Sequence, residues 1–227
     1  MASILITGVS TGIGNALARY YLARGDEVLA VSRNPAANIP PQEHFHFMRC
    51  DLTDIERAPA ILQTLLSRTP APVETVYLNA GRFGGAPQLA TQTSMQEFNS
   101  VLALNLGAVK MVLDIMLSAT PPPSTVVFSS SISALRQRAG MLSYSVSKAA
   151  LNALAKSINW KTHTHSLPFW GSATSRRLWH GPSWRRMSVS AILSRCGNER
   201  QFPATSSTPT PALGILSRFW PSAIVMD

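Results

Sequence analysis

Short apolar runs alternate with segments of helical periodicity through the first two thirds of the chain. The runs are Ser3–Thr7, Glu27–Ser32, His44–Arg49, Val73–Leu78 and Ser124–Ser129. Most are continuously apolar rather than strictly alternating, the pattern of strands covered on both faces. Between them, Ile13, Ala16, Leu17 and Tyr20 trace one helical stripe, and a helix is expected over Ile55–Ser67. A further stripe (Phe98, Val101, Leu102, Val109, Val112, Leu113, Met116) follows Ser94-x-x-Glu97, which reads as a capping box. Gly25-Asp26, the proline-bearing stretch Asn34–Gln42 and the Gly/Pro-rich stretch Arg82–Thr93 punctuate the elements as turns and loops. Strand and helix taken in turn predict an α/β fold, a doubly wound parallel sheet of Rossmann-like type.

This rhythm stops near Lys156. Residues 1–156 carry twelve basic and nine acidic residues, whereas 157–227 carry eight and two, together with all five tryptophans. No acidic residue stands between Asp114 and Glu199, and Phe202–Pro211 reads as Pro/Thr/Ser-rich loop. Two regions are therefore expected: residues 1–156 as an α/β domain, and 157–227 as an atypical, irregular segment. Ser188–Leu193 is the one place in the latter where a short strand or helical turn fits. Three origins remain open for it: a divergent substrate region, an interaction module, or a shift of reading frame near Trp160. Arg176-Arg177 and Arg185-Arg186 interleave with tryptophans, but most of the excess charge, +6 of +9, sits in this segment, so nucleic acid is not the expected partner.

Composition narrows the class further. At 227 residues and 45% hydrophobic content the chain suits a domain with a real core. Its two cysteines, Cys50 and Cys196, give no disulfide framework, so a reducing, cytoplasmic setting is expected. Residues 1–13 lack a basic leader, and 115–135 is broken by three prolines, so neither a secretion signal nor a membrane span is expected. His44 with His46, and His163 with His165, lack further ligands nearby in sequence; no metal site is expected.

The chemistry begins at Ile4–Gly14, where an apolar run feeds Gly8, Ser10, Thr11, Gly12, Ile13 and Gly14 before a helix opens. Glycines here let backbone lie close to a bound phosphate, and the helix start offers free N–H groups. The second run ends in Ser32-Arg33 without a carboxylate. Arg33 can neutralise a 2′-phosphate, which favours NADP; if it is only a solvated turn residue, NAD remains. Asn105 shares the apolar helical face, where a buried amide must find partners, either for a functional task or to kink the helix. Tyr144 and Lys148 are four apart on one face of a helix. An ammonium near a phenol is expected to lower its pKa from about 10 and so make Tyr144 a usable acid or base.

The order Thr7-Gly8-x-x-x-Gly12-x-Gly14, Asn79-Ala80-Gly81, Asn105, Ser131, Tyr144-x-x-x-Lys148 resembles the short-chain dehydrogenase/reductase family over residues 3–156. The resemblance implies an NAD(P)-dependent oxidoreductase that moves hydride between nicotinamide and a ketone, aldehyde or secondary alcohol. It implies Tyr144 as acid/base, Ser131 on the substrate carbonyl, and Lys148 on the ribose and biasing Tyr144. It also implies Asn105 holding a relay water, Asp51 and Leu52 at the adenine, and Asn79-Ala80-Gly81 past the nicotinamide ribose. The family's first motif asparagine is Leu78 here, and its later Pro-Gly turn is absent, since Gly181-Pro182 has the reverse order. A small-molecule substrate is the expected partner, and self-association is compatible with the pattern. The alternative is a catalytically impaired dinucleotide-binding protein whose C-terminal segment is divergent or frameshifted.

Overall fold

The structure, a computed structural model, describes residues 1–137, 139–162, 189–191 and 223–226. Five strands are parallel: β1 (Ser3–Thr7), β2 (Glu27–Ser32), β3 (Phe45–Arg49), β4 (Thr75–Leu78) and β5 (Thr125–Ser129). Helix α1 (Gly12–Ala23) follows β1, and α2 (Ala58–Leu66) lies between β3 and β4. Between β4 and β5 run α3 (Met95–Leu102), a π-turn (Ala103–Gly107) and α4 (Ala108–Leu117); α5 (Leu142–Thr162) follows β5. Two short strands, β6 (Val189–Ala191) and β7 (Ala223–Met226), complete the order β3-β2-β1-β4-β5-β7-β6.

The apolar runs are continuous because alternate residues serve two cores. Ile4, Ile6, Val28, Ala30, Tyr77 and Val127 face α1, whose Leu17, Ala18 and Tyr21 meet them. Leu5, Leu29, Val31, Val76, Leu78, Val126 and Phe128 join the opposite core with side chains of α2, α4 and α5. Period-two alternation thus feeds both faces of one parallel sheet. The segment Met95–Leu117 is long and apolar enough to cross a membrane, but Leu104, Ala108, Val109, Val112, Leu113 and Met116 belong to this second core.

Several expectations change in detail. The α1 stripe is rotated by one residue: Tyr21 is buried, and its hydroxyl is 2.6 Å from that of Tyr77. Tyr20 instead lies edge-on to it, at the edge of that core. Helix α2 starts three residues later than expected, because the Asp54 carboxylate accepts from the Arg57 N–H and makes a separate turn first. The Ser94 hydroxyl caps the Glu97 N–H at 3.1 Å, but the Glu97 carboxylate does not complete the box. It reaches to the Gly85 N–H and the Gln88 amide instead.

The edge beyond β5 carries β7 antiparallel to β5 and then β6 antiparallel to β7, with β6 inside the stretch Ser188–Leu193 where a short strand fits. Helix α5 continues through the composition change at Lys156 as far as Thr162. The expectation of irregular packing for the rest of 157–227, with the Gly181-Pro182 and His163/His165 readings, lies outside the described residues.

Candidate functional site

β1 has β2 on one side and β4 on the other, so the chain leaves it in opposite directions. In open α/β sheets such a switch opens a crevice at the carboxyl ends of the strands. Gly8, Arg33, Asn79 and Ser130 directly follow β1, β2, β4 and β5, so the sequence-marked residues converge there.

The turn after β1 is tight for stated reasons. Gly8 has φ +76° and Gly12 φ +63°, both in the region that favours glycine. A Cβ on Gly14 would lie 2.2 Å from the Gly8 carbonyl oxygen and 2.7 Å from the Asn79 amide nitrogen, so the start of α1 packs directly on the turn. A Cβ on Gly12 would meet nothing within 4 Å. Thr11, at the helix N-cap, places no side-chain hydrogen bond on the first turn. Helix N–H groups beside open space suit an anion, and here they suit a pyrophosphate.

Two cavities share Gly81. One, lined by Ser10, Ser32, Arg33, Asp51, Leu52 and Ala80 among others, measures about 100 Å³. Arg33 is exposed at its edge, and its charge helps hold the Asp51 carboxyl below the usual range. The larger part of that shift comes from Thr53, whose N–H and hydroxyl both donate to Asp51. The other cavity, about 170 Å³, is lined by Ile13, Asn79, Gly81, Arg82, Phe83, Ser129, Tyr144 and Lys148. A turn that requires glycine, an uncapped helix start and these two cavities fit an extended dinucleotide.

Thr7 joins the two central strands, a role that sequence reasoning did not single out. Its hydroxyl accepts from the Asn79 and Ala80 N–H groups at 2.9 and 3.0 Å and donates to the Tyr77 carbonyl. A buried threonine ending an apolar run was the available signal. Asn15 was also missed: its amide donates to the Val9 and Ala37 carbonyls and ties the turn to the loop after β2.

Asn105 is fully buried inside the π-turn. Its side-chain oxygen accepts from the Arg82 N–H at 2.8 Å. Its amide donates to the Arg82 carbonyl at 2.9 Å and to the Ser147 hydroxyl at 2.9 Å. The side chain is therefore committed to the loop after β4. The wide turn breaks the i→i−4 ladder, as π-turns at functional sites commonly do. A helix-period stripe cannot reveal such a turn.

Tyr144 and Lys148 share the crevice face of α5, with Ser131 opposite. The Lys148 ammonium donates to the Ser129 carbonyl at 2.7 Å and lies 5.8 Å from the Tyr144 ring centre. Burial raises the Tyr144 phenol, and a hydrogen bond with Ser131 acts against that shift. The expected lowering by Lys148 is thus reversed in direction: desolvation dominates, and the ammonium's hydrogen bond goes to the Ser129 carbonyl. Lys148 is itself pushed down to about 8 by burial.

That shift carries a stability consequence. The unfolded chain binds more protons than the folded one between about pH 8 and 10.5, so stability rises with pH across that window. At about 1.36 kcal/mol per unit the shift costs about 3 kcal/mol at pH 7, and the lost charged bond to Ser129 offsets about 1.5–3 of it, so Lys148→Met is expected to stabilise the fold by up to about 2 kcal/mol at that pH. The advantage narrows by pH 9.5. Urea midpoints at the two pH values check this, and a variant less stable at pH 7 contradicts it.

The family model for short chain dehydrogenases matches residues 2–168. An uncharacterized short-chain type dehydrogenase/reductase of Sinorhizobium fredii is 27% identical over 197 residues, covering 86% of this chain and 34% of its own length. The crystal structure of a short-chain dehydrogenase from Streptomyces avermitilis is 26% identical, with a TM-score of 0.63 over 71% of this chain and 61% of that one. A 4-hydroxyisoleucine dehydrogenase solved with NADH shares the fold: TM-score 0.63, 23% identity, 71% of this chain and 68% of that one. The chain spans about a third to two thirds of the length of the first curated relatives it matches.

Proposed function

Because the chain belongs to the short-chain dehydrogenase family, we propose that it exchanges hydride between a nicotinamide dinucleotide and a carbonyl or secondary alcohol, with Tyr144 as the acid/base. The observation that carries this reading is the convergence of Ser131, Tyr144 and Lys148 beside Asn79 and Gly81, next to a turn shaped for a pyrophosphate. Gly8, Ser10, Thr11, Gly12, Ile13 and Gly14 would hold the pyrophosphate, Asp51 and Leu52 the adenine, and Asn79, Ala80 and Gly81 the nicotinamide half. The bound cofactor supplies the hydride. Ser131 would donate to the substrate carbonyl oxygen. Tyr144, neutral at pH 7 as an ordinary phenol is and held further from ionisation by burial, would give that oxygen its proton. Lys148, still largely charged at that pH, would steady the ribose and the phenol, and Asn105, its side chain engaged by Arg82 and Ser147, would complete the proton path through its main chain in the π-turn.

The NADP form is proposed on Arg33. Arg33→Ala is expected to narrow a preference for NADPH over NADH of about tenfold or more, the scale of a charged hydrogen bond. Titration of both nucleotides by nicotinamide fluorescence tests it; equal affinities in the unaltered chain would overturn the NADP assignment.

A second reading has its own support. The family match ends at residue 168, and the strand beside β5 runs antiparallel to the five before it. On that reading the chain keeps the dinucleotide-binding half with impaired turnover and a divergent or frameshifted segment after residue 156. Tight NADPH binding with no reduction of any ketone or aldehyde would favour it.

A further inference from the structure

We infer that Phe83 is a specificity-determining residue, and that it opens a second chamber beside the catalytic cavity onto a flat aromatic arm of the carbonyl substrate. The inference rests on the proposed carbonyl chemistry at Tyr144. Phe83 follows Asn79-Ala80-Gly81-Arg82, and its ring stacks on that of Tyr144 with centres 4.2 Å apart and planes 24° apart. More than half of the residue (57%) is nonetheless exposed. The exposed part matters because Phe83 lines both the catalytic cavity and a second one beside it.

Phe83 also borders a separate chamber of about 300 Å³ between the loop after β4 and the start of α5. Its apolar lining comes from Ala86, Pro87, Met141 and Leu142. Glu97, its one carboxylate among the described residues, is already engaged by the Gly85 N–H and the Gln88 amide. What remains for a guest is mostly apolar contact and one aromatic ring. A cavity of about 150 Å³ already holds benzene, so this chamber has room for an aryl group.

The wall is held from both sides. Asn105 fixes Arg82 through its backbone N–H and carbonyl, one residue before Phe83. Glu97 grips Gly85 two residues after it, and the Gln88 N–H donates to the Gly140 carbonyl across the chamber mouth. The backbone under Phe83 is thus set by groups on α3 and the π-turn. Its ring is a preorganised stacking partner that a bound arm need not order. Because Phe83 lines both this chamber and the cavity that holds Tyr144, a carbonyl at the phenol would have the chamber as the place for its arm.

The test uses the full-length chain with ¹³C-methyl methionine, the Met141 signal being identified with Met141→Leu. Acetophenone and cyclohexyl methyl ketone, alike in size and different in ring, are titrated separately. The expected result is a saturable shift at Met141 with acetophenone bound roughly three- to tenfold more tightly, the scale of an aromatic pair. Phe83→Leu should erase the difference and Phe83→Trp should retain it. No shift at Met141, or the same preference in Phe83→Leu, overturns the inference. Nicotinamide fluorescence on the same samples reads cofactor binding independently. Failure of the proposed cofactor chemistry is thereby distinguished from failure of the aryl subsite.

Discussion

Replacing Tyr144 by Phe is expected to lower carbonyl reduction by about 10²–10⁴-fold, the usual contribution of a positioned acid/base, while cofactor affinity stays within about twofold. The ring would remain under Phe83, because that stacking needs no hydroxyl. What is lost is the one phenolic proton facing Ser131. The side chain is buried and the variant introduces no new bulk, so the fold should be retained. Steady-state rates with NADPH, together with fluorescence titration of the nucleotide, separate the two effects. Equal turnover in the variant would remove Tyr144 from the reaction. A parallel loss of nucleotide affinity would point to a disturbed site instead.

The second large effect is expected at Gly14. An alanine there would put its methyl carbon 2.2 Å from the Gly8 carbonyl oxygen, a distance that only backbone movement can relieve. The obstructing atoms are main chain and the Asn79 amide, itself bonded to the Thr7 and Gly8 carbonyls, so neither can swing aside cheaply. Overpacking of this kind costs about 1–3 kcal/mol or more, and it should also displace the turn that would hold the pyrophosphate. Gly12→Ala provides the contrast. Its methyl meets nothing within 4 Å, and the cost is the left-handed backbone, about 1–2 kcal/mol. Urea unfolding and nucleotide titration of both variants check the pair. Gly14→Ala should lose nucleotide binding, and unaltered binding would mean that the turn is not the pyrophosphate site.

Much of the fold was legible because burial on both faces imposes a simple rule on sequence. Ser3–Thr7 and Glu27–Ser32 were read to the residue, since both faces of these strands lie against helices and their ends are marked by Gly8 and Gly25. The other three parallel strands each start a residue or two later than expected, at half-exposed Phe45, Thr75 and Thr125. The π-turn at Asn105 was not legible, because one inserted residue leaves the apolar stripe nearly intact. The diversion of Glu97 from its helix cap to Gly85 and Gln88 depends on a loop folding back, which spacing along the chain does not encode.

The candidate site divides along the same line. The turn glycines, Tyr144 and Lys148 carry their reasons in local spacing. Thr7, Asn15 and Phe83 act through partners far away in sequence, and only the folded chain brings those partners together. The direction of the Tyr144 shift was misread for a related reason. Helical spacing puts Lys148 near the phenol, but the Ser129 carbonyl that claims its ammonium arrives from another strand.

The most direct test of the oxidoreductase reading follows the hydride itself. The full-length chain is incubated with NADPH carrying deuterium at both C4 positions and a mixed panel of ketones and aldehydes, and the alcohols are analysed by mass spectrometry. The account predicts one deuterium at the carbinol carbon with the unaltered chain and essentially none with Tyr144→Phe. Nucleotide bound to a folded chain without transfer of label to any alcohol would contradict it.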